Sequence, residues 1–135
     1  MRHASSLPPD TRRLLERLAQ RTDVDGFTLI GGTALAVRHG HRRSEDIDLA
    51  WTGPDLPTRT IRRLVEELPT SGPARNLMDP LESQLADDEG IYLAAHQQDW
   101  VIDGVKVTFY AQPPRNAAII GDGTPERIGN LAVAD

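Results

Sequence analysis

The chain has no cysteine, which excludes disulfide staples, thiolate metal sites and cysteine nucleophiles. Aromatic residues are scarce at 4%, so the core has to be built from Leu, Val, Ile and Ala. No apolar run approaches the roughly 20 residues that span a bilayer, and no membrane segment is expected. Residues 1–9 hold no apolar stretch of the kind a signal peptide needs. With the missing cysteines, that places the chain in the cytoplasm as an expectation. An excess of positive charge is also absent. The net charge of -5 excludes a broad nucleic-acid-binding surface and leaves only local basic patches. Of the 15 basic residues only Lys106 is lysine. Repeats and low-complexity tracts are lacking too, and 135 residues with 26% charged side chains read as a single domain, 1–135.

The pattern along the chain predicts helices and strands in alternation. Proline followed by Leu14, Leu15 and Leu18 at helical spacing gives a helix over 10–21. Residues 27–30 read as a short buried strand, Gly31-Gly32 as its punctuation, and 33–39 as a helix. Acid and apolar residues then alternate over 46–51, as a strand does. Ile61, Leu64, Val65 and Leu68 mark an amphipathic helix over 57–68. Residues 69–80 read as loop, 81–86 as a helical turn or two, and 91–95 as a strand. Asp103-Gly104 is a favoured two-residue hairpin turn between strands over 100–102 and 105–110. Residues 117–120 are a short apolar run, and Thr124-Pro125-Glu126 reads as the start of a helix. The fold class expected is α/β (α+β), a short mixed sheet flanked by helices.

Chemistry concentrates in one stretch. A strand ending in Gly31-Gly32 lets the backbone approach a phosphate with no side chain between. The helix that follows points free N–H groups and a partial positive charge at that phosphate. Thr33 can add a hydroxyl. On the next strand Asp46 and Asp48 project from one face while Ile47 and Leu49 enter the core. Like charges side by side repel unless a cation lies between them. Two carboxylates on a rigid strand suit Mg²⁺, which takes a few carboxylates together with substrate phosphate oxygens. A Gly-Gly turn alone is usually just a turn, and Asp-x-Asp alone is often a solvated strand face. Their ordered combination is far more specific.

Gly31-Gly32, thirteen further residues and then Asp46-Ile47-Asp48 resemble the signature of the DNA polymerase beta-like nucleotidyltransferase superfamily. Ile30-Gly31-Gly32-Thr33-Ala34-Leu35 with His41-Arg42-Arg43-Ser44-Glu45-Asp46-Ile47-Asp48-Leu49 is similar, more specifically, to the AbiEii toxins of type IV toxin–antitoxin systems. The resemblance implies that Gly31, Gly32 and Thr33 bind a nucleoside triphosphate (NTP) and that Asp46 and Asp48 bind Mg²⁺ and carry catalysis. It also implies transfer of a nucleotide to RNA, tRNA included, or GTP binding, with a cognate antitoxin protein as partner. Arg42 suits the charge of a triphosphate, and Ser44 can fix the loop or reach a phosphate.

The sequence departs from that pattern in two places. The superfamily commonly supplies a third carboxylate from a later strand, and Thr108 stands at the matching position. Asp103, expected to be taken up by the turn, and Asp99 are the acids near enough in sequence to substitute. Lys106 reads as a solvated edge lysine that could meet a phosphate. Residues 128–135 resemble the start of a helix that longer relatives continue. A non-catalytic nucleotide-binding or protein-interaction module is therefore the rival reading, with an aminoglycoside-modifying nucleotidyltransferase on the same core as a third. Trp51 and Trp100 could stack a base, but at strand ends they read rather as core or rim residues. The arginines of the first helix, with Arg59, Arg62 and Arg63, could meet RNA phosphates or simply be solvated.

Overall fold

The computed structural model describes residues 7–39, 45–77, 93–111 and 126–134. Helix α1 (Pro9–Ala19) opens on a proline. The first N–H of a helix has no partner in any case, so proline there loses nothing. Asp10 in the first turn and Arg17 in the last complement the helix dipole. Strand β1 (Phe27–Ile30) runs straight into α2 (Gly31–His39), and β2 (Ile47–Trp51) returns antiparallel to β1. There follow α3 (Thr58–Glu67), β3 (Arg75–Asn76), β4 (Gln97–Ile102), β5 (Val105–Ala111), β6 (Glu126–Ile128) and β7 (Leu131–Val133).

The strands form one sheet in the order β3-β4-β5-β2-β1-β7-β6. The β2–β5 and β1–β7 pairs are parallel and the other pairs antiparallel. This is the mixed sheet with flanking helices that the sequence pattern points to. Alternation sends Leu29, Ile47, Leu49, Val107 and Phe109 into one cluster with Leu14, Leu15 and Leu18 of α1 and Ile61, Leu64 and Val65 of α3. Each such side chain contributes about 1.5–3 kcal/mol by leaving water. The same alternation leaves Asp48, Thr108 and Asp99 on the opposite face. Among the described residues no helix is long and apolar enough to cross a membrane.

Four expectations are corrected. Residues 91–95 do not read out as a strand: Leu93–Ala95 is a 3-10 turn, and 91–92 lie outside the described residues. Its carbonyls serve loop bonds instead of a ladder, Ala95 O accepting from Leu56 N at 2.7 Å and Ala94 O from Gln98 Nε2 at 3.0 Å. The loop over 69–80 contains β3, which pairs with β4. Helix α2 begins at Gly31 itself, not at Thr33. The expected C-terminal helix is the β6–β7 hairpin. Short apolar runs do not distinguish helix from strand, and here the free edge of β1 decides: β7 pairs with it in parallel, Leu29 opposite Val133. The segments 81–86 and 117–120 lie outside the described residues.

Gly129 makes that hairpin possible. Its φ is +56°, and a Cβ there would run into the backbone carbonyl of Ala19. Asn130 N donates to that same carbonyl at 2.7 Å. Gly129→Ala is expected to cost about 1–3 kcal/mol from the backbone conformation alone, and more from the collision. Urea unfolding of the two proteins measures it.

Candidate active site

Gly31, Gly32, Thr33, Asp46 and Asp48 come together at the end of β1. Gly31 has φ +74°, a conformation glycine adopts at little cost. A Cβ at Gly31 would lie 2.7 Å from Asp48 Oδ2, so the Asp48 carboxylate rests directly against the glycine corner at the head of α2. Ile30 pairs with Asp48 across β1 and β2, which sets this approach by register. Asp46 lies just before β2, two residues from Asp48.

Thr33 is fully buried, and its hydroxyl donates to the Asp46 carbonyl. That bond ties the first turn of α2 to the segment bearing the acids. Thr33 thus holds the corner closed, with its backbone N–H on the helix's leading turn. Arg42, Ser44, His41 and Arg43 lie outside the described residues.

Burial pushes the Asp48 carboxyl above its ordinary value, and the neighbouring charge of Asp46 adds to the shift. Lys106 pulls it back down, and Asp99 raises it again. Four charged groups therefore feel one another on this face. Tyr110 belongs to the same group. Burial raises its hydroxyl above the ordinary value, helped by the charges of Asp48 and Asp99, while a hydrogen bond with Thr108 acts the other way. Tyr110 was not singled out by sequence. Its signal was the alternation of β5, which places it with Lys106 and Thr108.

Lys106 is not an edge lysine. Strand β5 lies between β4 and β2, and Lys106 stands exposed on the face that carries Asp48. Asp103 is taken up elsewhere, as expected. It adopts φ 50° in the turn, accepts from Ser71 N at 2.8 Å and pairs with Arg17 at 3.2 Å. Trp51 packs between Gly26 and Gly53, where added Cβ atoms would fall 2.5 and 2.6 Å from its ring. Trp100 packs against the core and donates from Nε1 to Gln98 Oε1 at 3.0 Å. Both tryptophans are packing residues here. On α1, Arg13 pairs with Asp10 and Arg17 with Asp103. Arg21 meets Asp23 at 2.8 Å and Glu67 at 2.5 Å.

The donor set fits a hard divalent cation. Asp46 and Asp48 supply anionic oxygen, and glycine at position 31 lets the Asp48 carboxylate lie close to the start of α2. Among the described residues no three His, Cys, Asp or Glu side chains converge on one point, so substrate oxygens and water would complete the shell. The acids stand on the sheet face opposite the core cluster. Among the described residues, a cavity of about 230 Å³ lies elsewhere, lined by Arg13, Arg17 and Asp103. Its lining is occupied by internal ion pairs, and the carboxylate geometry is the better guide to chemistry.

Comparison with known proteins gives a family and a fold. The profile of the family described as "Nucleotidyl transferase AbiEii toxin, Type IV TA system" matches residues 13–118. The chain belongs to the AbiEii nucleotidyltransferase toxin family. Uncharacterized protein aq_aa25 of Aquifex aeolicus is 38% identical over 64 residues, 46% of this chain and 31% of that protein. Two crystal structures share the fold at 15% identity: an H. pylori protein assigned as a nucleotidyltransferase, TM-score 0.57, and JHP933 from Helicobacter pylori, TM-score 0.56. Each match covers 93% of this AbiEii chain, which spans 52% and 51% of those two chains and about a third of the Aquifex protein. The matched region contains both the glycine corner and the paired acids, so the family assignment and the local geometry concern the same residues.

Proposed function

We propose that this chain carries a Mg²⁺-dependent site that transfers a nucleotide from an NTP to an RNA acceptor, with tRNA the first acceptor to test. The observation that carries the reading is the Asp48 carboxylate lying against the glycine corner at the start of α2. Asp46 and Asp48 would hold the cation. Backbone N–H groups of Gly31, Gly32 and Thr33 would face the phosphates, where the helix dipole favours negative charge. Arg42 and Ser44 are assigned to the triphosphate on sequence grounds. Held there, Mg²⁺ would supply positive charge for the triphosphate and the departing pyrophosphate. A cognate antitoxin is the protein partner that family membership suggests.

Thr108, standing where the superfamily commonly has an acid, favours a second reading: a nucleotide-binding module without catalysis. One experiment separates the two. Purified protein is given Mg²⁺, each labelled NTP in turn and a pool of cellular RNA. The expected outcome is label entering RNA from a preferred NTP, abolished by a chelator. Calorimetric NTP binding with no labelling of RNA would instead establish the non-catalytic module. Absence of both binding and labelling would remove the site assignment itself.

A further inference from the structure

A polar row crosses the face of the sheet opposite the core cluster. Asp48 of β2 pairs with Thr108 of β5, and Thr108 pairs with Asp99 of β4. Directly paired residues project from the same side. Thr108 is only 2% exposed, and its Oγ1 donates to Asp99 Oδ1 at 2.7 Å. This bond draws the Asp99 carboxylate toward β5. Gln97 Nε2 adds a weaker contact at 3.4 Å to each Asp99 oxygen. Among the described residues these two are its side-chain hydrogen-bond partners.

Nucleotide transfer needs a proton acceptor. As the acceptor oxygen attacks, its O–H must give up its proton, and a positioned side chain makes that easier by about 10²–10⁴-fold. In the reading above Asp46 and Asp48 are committed to the cation. Thr108 cannot serve as a base, and Lys106 in its charged form has no lone pair to offer. Asp99 stands one strand beyond Thr108 and, among the described residues, converges with no two other His, Cys, Asp or Glu side chains on one ion position. It is thus placed as a separate carboxylate rather than a third ligand of the same ion.

Resting on the nucleotidyltransferase reading, we infer that Asp99 is the general base for the acceptor hydroxyl and that Thr108 is the positioning residue that aims it. The acceptor oxygen forms its bond to the α-phosphorus. The bond from that phosphorus to the bridging oxygen breaks, and pyrophosphate leaves with the electron pair. The acceptor proton passes to the Asp99 carboxylate and from there to water.

The test uses Asp99→Asn, Thr108→Val and the double variant Asp99→Asn/Thr108→Asp in the full chain. Calorimetry with Mn²⁺ and with each NTP reads binding, and labelled-RNA formation reads transfer. Asp99→Asn should bind both as the wild type does and lose about 10²–10⁴-fold in kcat. Thr108→Val should lose less, with KM unchanged. The double variant, which returns a carboxylate to β5 beside Asp48, should recover part of the lost rate. Wild-type turnover by Asp99→Asn overturns the inference while leaving the nucleotidyltransferase reading standing. So does a loss of Mn²⁺ binding that parallels the loss of rate, because Asp99 would then be a ligand. A wild-type chain that neither binds nor transfers removes the parent reading, and the inference with it.

Discussion

Asp48→Asn is expected to lower nucleotide transfer by about three orders of magnitude while making the cation-free protein more stable at neutral pH. The two effects share one cause. Loss of a cation ligand forfeits several kcal/mol of charge stabilisation in the transition state, and each 1.4 kcal/mol is a factor of ten in rate. In the folded protein, burial and then the charge of Asp46 raise the Asp48 carboxyl above its ordinary 3.8. A carboxyl whose folded value is raised binds its proton more tightly in the folded state than in the unfolded one. Below 3.8 both states are protonated and nothing is lost. As pH climbs from there through the raised folded value, stability falls, and it stays lower at neutral pH. Asparagine carries no such penalty. In chelator the variant should therefore melt a few degrees above the wild type at pH 7, and that advantage should vanish in acid. Added Mg²⁺ should raise the melting temperature of the wild type and leave the variant unmoved. Differential scanning calorimetry at two pH values, with and without Mg²⁺, reads all of this. A variant no more stable than the wild type in chelator would show that Asp48 is not under electrostatic strain.

The parts of this site that sequence disclosed are those whose information is local. A short, mostly apolar strand, two glycines and a helix follow one another without a gap, so β1 and α2 could be placed from neighbouring residues alone. The Asp99–Thr108 pair was equally available. Asp103-Gly104 is a two-residue turn with φ positive at both positions, 50° and 79°, the arrangement of a type I′ hairpin. Counting outward from it by equal steps brings Asp99 opposite Thr108. Other features depend on partners far along the chain. Nothing near residue 106 says that β5 lies between β4 and β2, which is why Lys106 reads as an edge residue. The helix expected at the C-terminal end fails for the same reason: three apolar residues take strand form because β1 offers an unpaired edge to Leu131–Val133. Thr33 illustrates a subtler limit. Its position in the glycine corner was legible, but that its hydroxyl faces the Asp46 carbonyl depends on how α2 docks on the loop before β2.

Gly31→Ala and Gly104→Ala should cost similar stability and differ sharply in function. Both glycines have φ in the left-handed region, +74° and +79°, where any other residue is strained by about 1–3 kcal/mol. Their surroundings set them apart. A Cβ at Gly104 meets nothing within 4 Å, whereas one at Gly31 lies 2.7 Å from Asp48 Oδ2 and 3.6 Å from its Cγ. That separation is too short for a carbon and an oxygen, and the Asp48 side chain is the flexible partner that has to move. Its shift opens the carboxylate away from the corner and puts a methyl group where a phosphate would approach the helix terminus. A displacement of about 1 Å in a reacting constellation costs on the order of 10²-fold in rate. Gly31→Ala should therefore lose about that much transfer activity and weaken NTP binding, with Gly104→Ala matching the wild type in both. Parallel urea unfolding and labelled-NTP assays make the comparison. Equal activity in the two variants would mean that the close approach of Asp48 to Gly31 plays no part in the reaction.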